Sequence, residues 1–566
     1  MKFSDMPYER IELPQLRQEG ERWLTALRQA QTAEQAEQAM LGWDRLSGHV
    51  TTLSNLAYIR HSIDTADPFY DGEIAYWDEV QPQISEIGQQ FAQGLLQSPF
   101  RPALEQKYGT LLFLNAEIGQ KAFSPEIIPE MQEENQQTTA YQKLIASAQI
   151  PFDGKTLTLS QLTPYKQSPD DGVRRAAWAA ESAFFQENAD ELDALYDRLV
   201  SLRTAMAHRM GYPDFRTLGY YRMLRNSYTP EDVEQFRKAV RTHIVPVADR
   251  LYREQAKRTG CPYPLSFADA ALTFRSGNAK PQGSPEEILA HGRTMYHELS
   301  PETAAFIDFL YDNELLDVLS KKGKAGGGYC TSLPDYKAPF VFANFNGTSG
   351  DVEVITHEAG HAFADYMARD IVPSDNRSPT LESCEVHSMT MEFFGWRWAP
   401  GFFGRDTEKF YYGHLASAVK FLPYGCLVDH FQHVVYERPE LTPDERHGVW
   451  RELMGQYMPW MALDGSPFYG EGHGWQRQSH IYEVPFYYID YCLAQTVALE
   501  FWVQMQRDPA DAWERYLRLV KQAGTKTFDG LVRTAGLRSP FESGTLQEVA
   551  QAASSWLDAA NPRQWD

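Results

Sequence analysis

Helix-start signals recur along this 566-residue chain and constrain its fold more than any other feature. Each is a Ser or Thr followed by Pro and then by acidic residues, and the five begin at Ser124, Thr229, Ser284, Ser300 and Thr442. The hydroxyl can cap free N–H groups, Pro suits the first helical position, and carboxylates favour the positive end of the helix dipole. Because each signal leads into a mixed apolar and polar stretch, the chain is predicted to be mainly α.

The N-terminal part of the chain, up to about residue 200, consists of long amphipathic stretches rich in Gln, Glu and Ala. Residues 150–159 interrupt them, and the Asp153-Gly154 pair predicts a small hairpin near residues 150–160. We place a boundary near residue 195. This predicts an N-terminal helical region, 1–195, and a larger region, 196–566.

Two short β-rich segments stand in the centre of the chain. Residues 326–331 begin with three glycines, and residues 339–345 read Pro-Phe-Val-Phe-Ala-Asn-Phe before Asn346-Gly347. Apolar runs bounded by Gly, Pro and Asn are typical of strands. They predict a small sheet directly before the most informative segment.

That segment contains His357-Glu358-Ala359-Gly360-His361 between apolar residues. Residues four apart on an α-helix are about 40° apart in azimuth and about 6 Å apart along the axis, so both imidazoles can bind one metal ion with Glu358 beside it. With 15 His and 76 acidic residues in the chain, chance gives such a pattern about 0.05 times. A helix with two structural histidines is the alternative. Gly360 costs about 1 kcal/mol relative to Ala in a helix, which indicates close packing there.

A catalytic zinc site needs a third protein ligand and an open fourth position. Residues 381–394 follow the motif and are rich in carboxylates. If they are helical, Glu385 and Glu392 share one face, and Glu382 lies one turn earlier. Spacing alone leaves as candidates Glu382, Glu385, Glu392 and His387.

A loop punctuated by Gly and Pro begins at residue 464 and leads into an aromatic run that ends at residue 491. Such a loop can flex over a cleft. The run contains one histidine and four tyrosines: His480, Tyr482, Tyr487, Tyr488 and Tyr491. One interpretation is a packed aromatic core, and the other is a His and a Tyr hydroxyl that stabilise an oxyanion opposite a metal ion. His473, within the loop, is a weaker candidate for the site than His480, and we expect it to have a structural role.

The charge balance excludes some classes of partner. The chain has 53 Lys and Arg against 76 Asp and Glu, a formal net charge of −23, which disfavours nucleic acid and anionic lipid. No window approaches about 18 uninterrupted apolar residues, and the N-terminal segment lacks the apolar stretch of a secretory signal. Five widely spaced cysteines without a Cys-x-x-Cys pair favour a reducing compartment. We expect a cytoplasmic protein, with no nucleic-acid or membrane partner and no protein partner implied.

The His-Glu-Ala-Gly-His sequence, followed by Glu-Val-His-Ser-Met-Thr-Met-Glu-Phe from Glu385, resembles the oligoendopeptidase F branch of the thimet oligopeptidase family of zinc metallopeptidases. The segment 346–348 and the pair Asp351-Val352 also resemble the family's approach to this helix. The resemblance covers residues from about 325 to 495, and the chain length suits the branch.

The resemblance implies a set of site residues. In the family's Glu-x-x-Ser-x-x-x-Glu pattern the first Glu binds zinc, so Glu385 takes the ligand role and Glu392 becomes a supporting carboxylate. A family His and two tyrosines that bind substrate and the oxyanion match His480, Tyr488 and Tyr491. The interval from the His is one residue shorter than in the thimet branch, which leaves Tyr482 and Tyr487 as alternatives. The resemblance also implies two largely helical halves that enclose a deep channel for short unstructured peptides. It makes residues 196–566 the zinc metallopeptidase catalytic region.

Peptide hydrolysis suits these groups. One zinc ion per chain, held by His357, His361 and Glu385, lowers the pKa of bound water towards about 7 and polarises the scissile carbonyl. Glu358 acts as general base and then delivers the proton to the leaving nitrogen, while His480 and a tyrosine donate hydrogen bonds to the oxyanion. The segment Gly327, Gly328 and Tyr329 offers an edge for an extended peptide.

Two other functions compete with a zinc endopeptidase. A zinc exopeptidase, a carboxypeptidase or dipeptidase, would not cut a peptide blocked at both ends. A non-catalytic peptide-binding scaffold is disfavoured by Glu358, because structural zinc sites usually have four protein ligands. Cobalt and manganese are alternatives to zinc, although two imidazoles and a carboxylate suit zinc well.

Overall fold

A computed structural model of the chain describes residues 1–463 and 465–565. Asp464, the first residue of the predicted loop, lies outside the described residues, as does Asp566. Helices occupy most of the described chain and the sheets are small, which confirms the predicted mainly α fold.

The helices before residue 210 are α1 (Leu13–Arg28), α2 (Ala33–Ile63), α3 (Pro68–Leu96), α4 (Arg101–Tyr108), α5 (Thr110–Ala122), α6 (Ile128–Ala146), α7 (Leu159–Lys166), α8 (Asp171–Glu187) and α9 (Ala189–Arg209). Those of the middle of the chain are α10 (Phe215–Arg222), α11 (Pro230–His243), α12 (Val245–Thr259), α13 (Phe267–Ala270), α14 (Pro285–Leu299), α15 (Pro301–Asp312), α16 (Gly350–Ala368) and α17 (Leu381–Phe394). The last are α18 (Ala399–Phe403), α19 (Thr407–Glu437), α20 (Pro443–Tyr457), α21 (Pro467–Gly470), α22 (Ser479–Glu483), α23 (Tyr488–Arg507), α24 (Pro509–Val520), α25 (Phe528–Thr534) and α26 (Thr545–Ala559).

The predicted helix starts are confirmed. Four of them open α11, α14, α15 and α20 with reciprocal capping boxes, in which the cap hydroxyl accepts a backbone N–H and the third helical residue returns a side-chain acceptor. Ser124 accepts from the N–H of Glu126 and opens a 3₁₀ turn, Pro125–Ile127, directly before α6. In these helices Pro occupies the first turn, where its missing N–H is not needed, and the acidic residues lie at the positive end of the helix dipole.

The predicted hairpin is also confirmed. Strands β1 (Ile150–Phe152) and β2 (Lys155–Leu157) pair antiparallel. Asp153 and Gly154 between them have φ of 53° and 70°, the left-handed pair that a tight hairpin turn requires.

The central sheet has three strands in the order β3-β5-β4, formed by β3 (Leu316–Leu319), β4 (Tyr329–Leu333) and β5 (Ala338–Phe345). The glycines 326–328 precede β4 instead of forming it, because Gly327 has a φ of 83° that ends extended pairing. The sequence did not predict β3, a four-residue strand that pairs parallel to β5 and is not connected to it by a hairpin turn.

One large apolar cluster extends from Met6 to Leu557 and includes residues of α16, α17 and α23. The boundary placed near residue 195 falls inside the continuous helix α9, and this cluster takes residues from both sides of it. A division into two regions there stays a prediction. In the described part of the chain, no helix combines the length and apolar character needed to cross a membrane.

Candidate active site

The helix α16 carries the His-Glu-Ala-Gly-His sequence and packs closely against α17. A Cβ atom added at Gly360 would lie 2.8 Å from Cα of Ser388 and 3.0 Å from the carbonyl oxygen of His387. These are backbone atoms of α17, so only glycine lets the two helices approach this closely. The close packing that Gly360 predicts is present, and it brings α17 to the metal-binding face of α16.

Three predicted ligands converge between these helices. Nε2 of His357 and Nε2 of His361 each lie 3.3 Å from Oε2 of Glu385. All three donor atoms lie within 4.8 Å of one another. Two imidazole nitrogens and one carboxylate oxygen are a donor set that suits a catalytic zinc ion with an open fourth position.

The carboxylate of Glu392 orients His357. Nδ1 of His357 lies 2.7 Å from Oε1 of Glu392, and Nε2 of His414 lies 2.8 Å from Oε2 of the same group. The indole N–H of Trp396 donates to Nδ1 of His414 at 3.1 Å, so that ring carries its proton on Nε2. Because an ionised carboxylate only accepts, His357 carries a proton on Nδ1, and a cation at Nε2 would take the place of the second proton that the metal-free ring holds there.

The charges around the three ligands favour a positive ion. Burial disfavours a charged His357 ring, yet hydrogen bonds to Glu385 and Glu392 raise its pKa well above the usual range. Burial alone would raise the pKa of Glu385, but His361 and His357 hold it well below the usual range, so this carboxylate is ionised. Ser388 Oγ and Tyr487 Oη also donate to Glu385.

A second group of possible ligands, Asp193, His447 and His473, has the opposite arrangement of protons. The indole N–H of Trp475 donates to Nδ1 of His447 at 3.0 Å, so the proton of this ring is on Nε2, which contacts Asp193 Oδ2 at 3.3 Å. A metal ion at Nε2 would have to displace that proton. The ring of His473 stacks on His447 at 3.7 Å, which is consistent with the structural role expected of it.

The other candidates for third ligand lie elsewhere. Glu382 is buried, accepts from Thr380 and pairs with Arg225 at 3.3 Å. His387 is buried, and burial lowers its pKa to about 3. Neither belongs to the group that His357 and His361 form, and the structure brings Glu385 there.

Glu358 borders a large cavity beside the metal-binding group. The cavity has a volume of about 1530 Å³ and is lined by β4, α16, α17 and α22 among other elements. A Cβ atom added at Gly328 would lie 3.3 Å from Oε1 of Glu358, so the missing side chain leaves this carboxylate open to the cavity. Burial raises the pKa of Glu358, while His357 and His361 oppose the shift. Gly327, Gly328 and Tyr329 all line the cavity, as their predicted role requires.

His480 lies in the same cavity at the end of a hydrogen-bonded chain. Tyr424 donates to Oε1 of Gln478 at 2.9 Å, and Nε2 of Gln478 contacts Nδ1 of His480 at 2.8 Å. Nδ1 is thus an acceptor, and the proton on Nε2 points to the hydroxyl of Tyr491, 3.2 Å away. Burial lowers the pKa of His480 to about 4, which makes the ring neutral at pH 7.

The four tyrosines of the aromatic run divide into two pairs. Tyr487 and Tyr491 line the cavity, and they are one helical turn apart at the start of α23. Tyr488 packs on His480 and on Tyr424, with centroid distances of 5.0 and 5.8 Å, and is not among the cavity-lining residues.

Tyr482, an alternative substrate contact, is fully buried away from the cavity and donates to the carbonyl of Leu192. Its ring stacks on Tyr141 at 4.1 Å. Tyr482 and Tyr488 thus pack in the aromatic core and are not among the residues that line the cavity, so their roles in the site stay predictions.

Comparison with known proteins identifies the family. The Peptidase M3 N-terminal domain matches residues 3–123, and Peptidase family M3 matches residues 297–551. A solved structure of PZ peptidase A with an inhibitor is 45% identical, covers 99% of this chain and 100% of its own, and superposes with a TM-score of 0.98. A structure described as oligoendopeptidase F from Bacillus anthracis str. Ames is 43% identical, covers 100% of this chain and 99% of its own, and has a TM-score of 0.94.

This chain belongs to the oligoendopeptidase F branch of peptidase family M3. Among other M3 relatives, the oligoendopeptidase F homolog of Lactococcus lactis subsp. lactis (strain IL1403) is 21% identical over 430 residues, 71% of this chain and 64% of the relative. Oligopeptidase PepF of Bacillus subtilis (strain 168) is 22% identical over 246 residues, 42% of this chain and 36% of the relative. The chain spans less than two thirds of the length of these curated relatives.

M3 membership confirms the resemblance found in the sequence and agrees with the predicted class, a peptide hydrolase. Sequence reasoning missed several supporting residues of this M3 site, all distant from the motif in sequence: His414, Trp396, Tyr424 and Gln478. Gln478 is two residues before His480 and Trp396 is four residues after Glu392, but no spacing rule singles out an amide or an indole at these positions.

Proposed function

We propose that the protein is a zinc-dependent endopeptidase that hydrolyses short, unstructured peptides. The observation that carries the proposal is the convergence of His357, His361 and Glu385, with Glu358 beside them, on the wall of a 1530 Å³ cavity. A cavity enclosed by helices admits an extended chain more readily than a folded protein. The five free cysteines support the cytoplasmic location predicted from the sequence.

The donor set supports zinc. Glu392 fixes the tautomer of His357, and Tyr487 and Ser388 hold the Glu385 carboxylate. These contacts are the kind that orient metal ligands and raise affinity. A divalent cation bound here supplies Lewis acidity and lowers the pKa of water.

Glu358 is placed to move the proton. Its carboxylate, with a pKa raised by burial, accepts a proton from the attacking water and delivers it to the leaving nitrogen. The open space that Gly328 leaves beside Oε1 gives water and peptide access to this group.

His480 and Tyr491 supply hydrogen bonds to the developing oxyanion. His480 donates from Nε2, because Gln478 occupies Nδ1, and Tyr491 donates its hydroxyl. Donors of this kind contribute about 3 kcal/mol each in comparable sites. Tyr487 lines the same cavity and donates its hydroxyl to Glu385, while Tyr488 packs on His480.

The edge strand β4 supports an extended peptide. Ser332 of β4 lies opposite Pro339 of β5, and proline has no N–H to donate. The N–H and carbonyl of Ser332 therefore point away from β5. The Ser332 carbonyl accepts from Asn55 at 2.7 Å. Cys330, two residues earlier, turns its own peptide groups in the same direction. Both residues line the cavity, where a substrate backbone can pair with Cys330 by strand addition.

The test is Glu358→Gln in a quenched-peptide assay, with bound metal measured on the same sample. We expect full metal content and a loss of kcat of at least about 100-fold. A peptide blocked at both ends separates the classes, since only an endopeptidase cuts it. Normal turnover by the variant would remove Glu358 from the proposal, and cleavage only of free-ended peptides would indicate an exopeptidase.

A further inference from the structure

A positively charged group lies on the wall of the cavity that also contains the proposed oxyanion donors. Glu181, Lys166 and Arg477 line the cavity together with His480. Glu181 is 2% exposed and pairs with the Nζ of Lys166. Two cations share one carboxylate, so the group carries a net positive charge.

Arg477 is the accessible member of this group. Its side chain is 39% exposed, against 7% for Lys166, and lies 3.7 Å from the nearest oxygen of Glu181. Within the described chain its guanidinium donates no hydrogen bond to protein, whereas Glu181 already accepts from Lys166 and from the hydroxyl of Tyr469. The guanidinium donors of Arg477 therefore remain available to a ligand in the cavity.

The surroundings make this position distinctive. The cavity wall also carries carboxyl groups, among them Asp71, Asp365 and Glu483. Among the other cations of the wall, Lys143 pairs with Asp71 at 2.9 Å, Lys324 pairs with Asp317 at 2.5 Å, and Arg377 donates to the carbonyl of Ile371. Lys321 also lines the cavity, but its ammonium group lacks the two-pronged geometry of a guanidinium. A guanidinium with free donors in a confined space binds a carboxylate with two parallel hydrogen bonds.

We propose that Arg477, held by Glu181, binds a carboxylate of the peptide, and that the enzyme prefers substrates with an anionic group at this position. The inference rests on the proposed peptidase function and names its substrate class. The carboxylate has two possible sources, the C-terminal α-carboxylate and an Asp or Glu side chain. Their chemistry toward Arg477 is the same.

Binding is measured first, in the Glu358→Gln background, by fluorescence anisotropy of labelled peptides. One pair has a free or an amidated C-terminus, and a second pair has Glu or Gln at one internal position. We expect at least one pair to show about tenfold tighter binding of the anionic member, and Arg477→Gln to abolish that difference. The pair that responds identifies the source of the carboxylate.

Two further variants sharpen the test. Arg477→Lys keeps the charge without the two-pronged geometry and should retain only part of the preference. Lys321→Gln removes another positive charge from the cavity wall and should leave the preference intact. Equal binding within both pairs, or an equal loss for all peptides in Arg477→Gln, overturns the proposal. Hydrolysis of the same peptides by the unmodified enzyme tests the peptidase function separately.

Discussion

Glu392 contacts His357 through Nδ1, the ring nitrogen that faces away from Glu385, at 2.7 Å. The same carboxylate contacts His414, which accepts from Trp396. With Nδ1 donating to Glu392, Nε2 of His357 faces Glu385 and His361, where a cation can replace its proton. In His447, Nδ1 accepts from Trp475, so Nε2 keeps its proton even in the neutral ring, and this difference separates a metal-binding group from a hydrogen-bonded cluster.

Glu392→Ala should therefore weaken zinc binding by about 10- to 100-fold, because His357 loses the partner that fixes its tautomer. Glu392→Gln keeps an acceptor without the charge and should have a smaller effect. Chelator competition measures both dissociation constants, and added zinc should restore much of the activity. Unchanged zinc affinity in the alanine variant would exclude this role for Glu392.

Gly360→Ala should destabilise the protein by about 1–3 kcal/mol, because the new Cβ meets backbone atoms of α17. It should also lower zinc affinity, since α17 carries Glu385. Gly413→Ala is the matched control: this helical glycine of α19 has no atom within 4 Å of an added Cβ, and the change should stabilise by about 0.4–1 kcal/mol. Thermal unfolding of the two variants checks the contrast.

Gln478→Glu should reverse the tautomer of His480, because a carboxylate accepts a proton from Nδ1. Neutral His480 would then present a bare Nε2, and only the charged ring could donate to the oxyanion. Loss of one such donor costs about 100-fold in kcat, so the deficit relative to the unmodified enzyme should grow from pH 6 to pH 8. A deficit that does not change with pH would contradict the assignment.

Glu483 gives a pH dependence of stability. Burial in the cavity wall raises its pKa from 4.5 to about 7, so the folded state binds more protons than the unfolded state between these values and loses stability as pH rises through them. Glu483→Gln should abolish this loss and gain about 1–2 kcal/mol over the parent protein at pH 8, with little difference at pH 4.5. Denaturant unfolding at the two pH values measures it, and an equal gain at both would refute the assigned pKa.

Local rules account for what the sequence revealed. Capping chemistry placed the starts of α11, α14, α15 and α20, and the Asp-Gly pair placed the β1–β2 turn, since both depend on neighbours within four residues. The short strand β3 was not predicted, because the residues of β5 that pair with it are more than twenty positions later and no hairpin turn connects the two strands.

The site shows the same limit. The spacing of His357 and His361 on one helix is local, so it was read directly, whereas Glu385 needed the family pattern to separate it from Glu382, Glu392 and His387. The surroundings of Tyr482 and Tyr488 are set by tertiary contacts with Tyr141 and Tyr424, which are distant in sequence and which no local rule predicts. Buried Arg203 contributes to this by donating to the carbonyls of Ile481 and Tyr482.

Anomalous X-ray diffraction at the zinc absorption edge, from crystals of the protein grown with zinc, tests the metal site most directly. We predict one strong peak bounded by Nε2 of His357, Nε2 of His361 and the carboxylate of Glu385. A peak at Asp193, His447 and His473 instead, or none between α16 and α17, would contradict it.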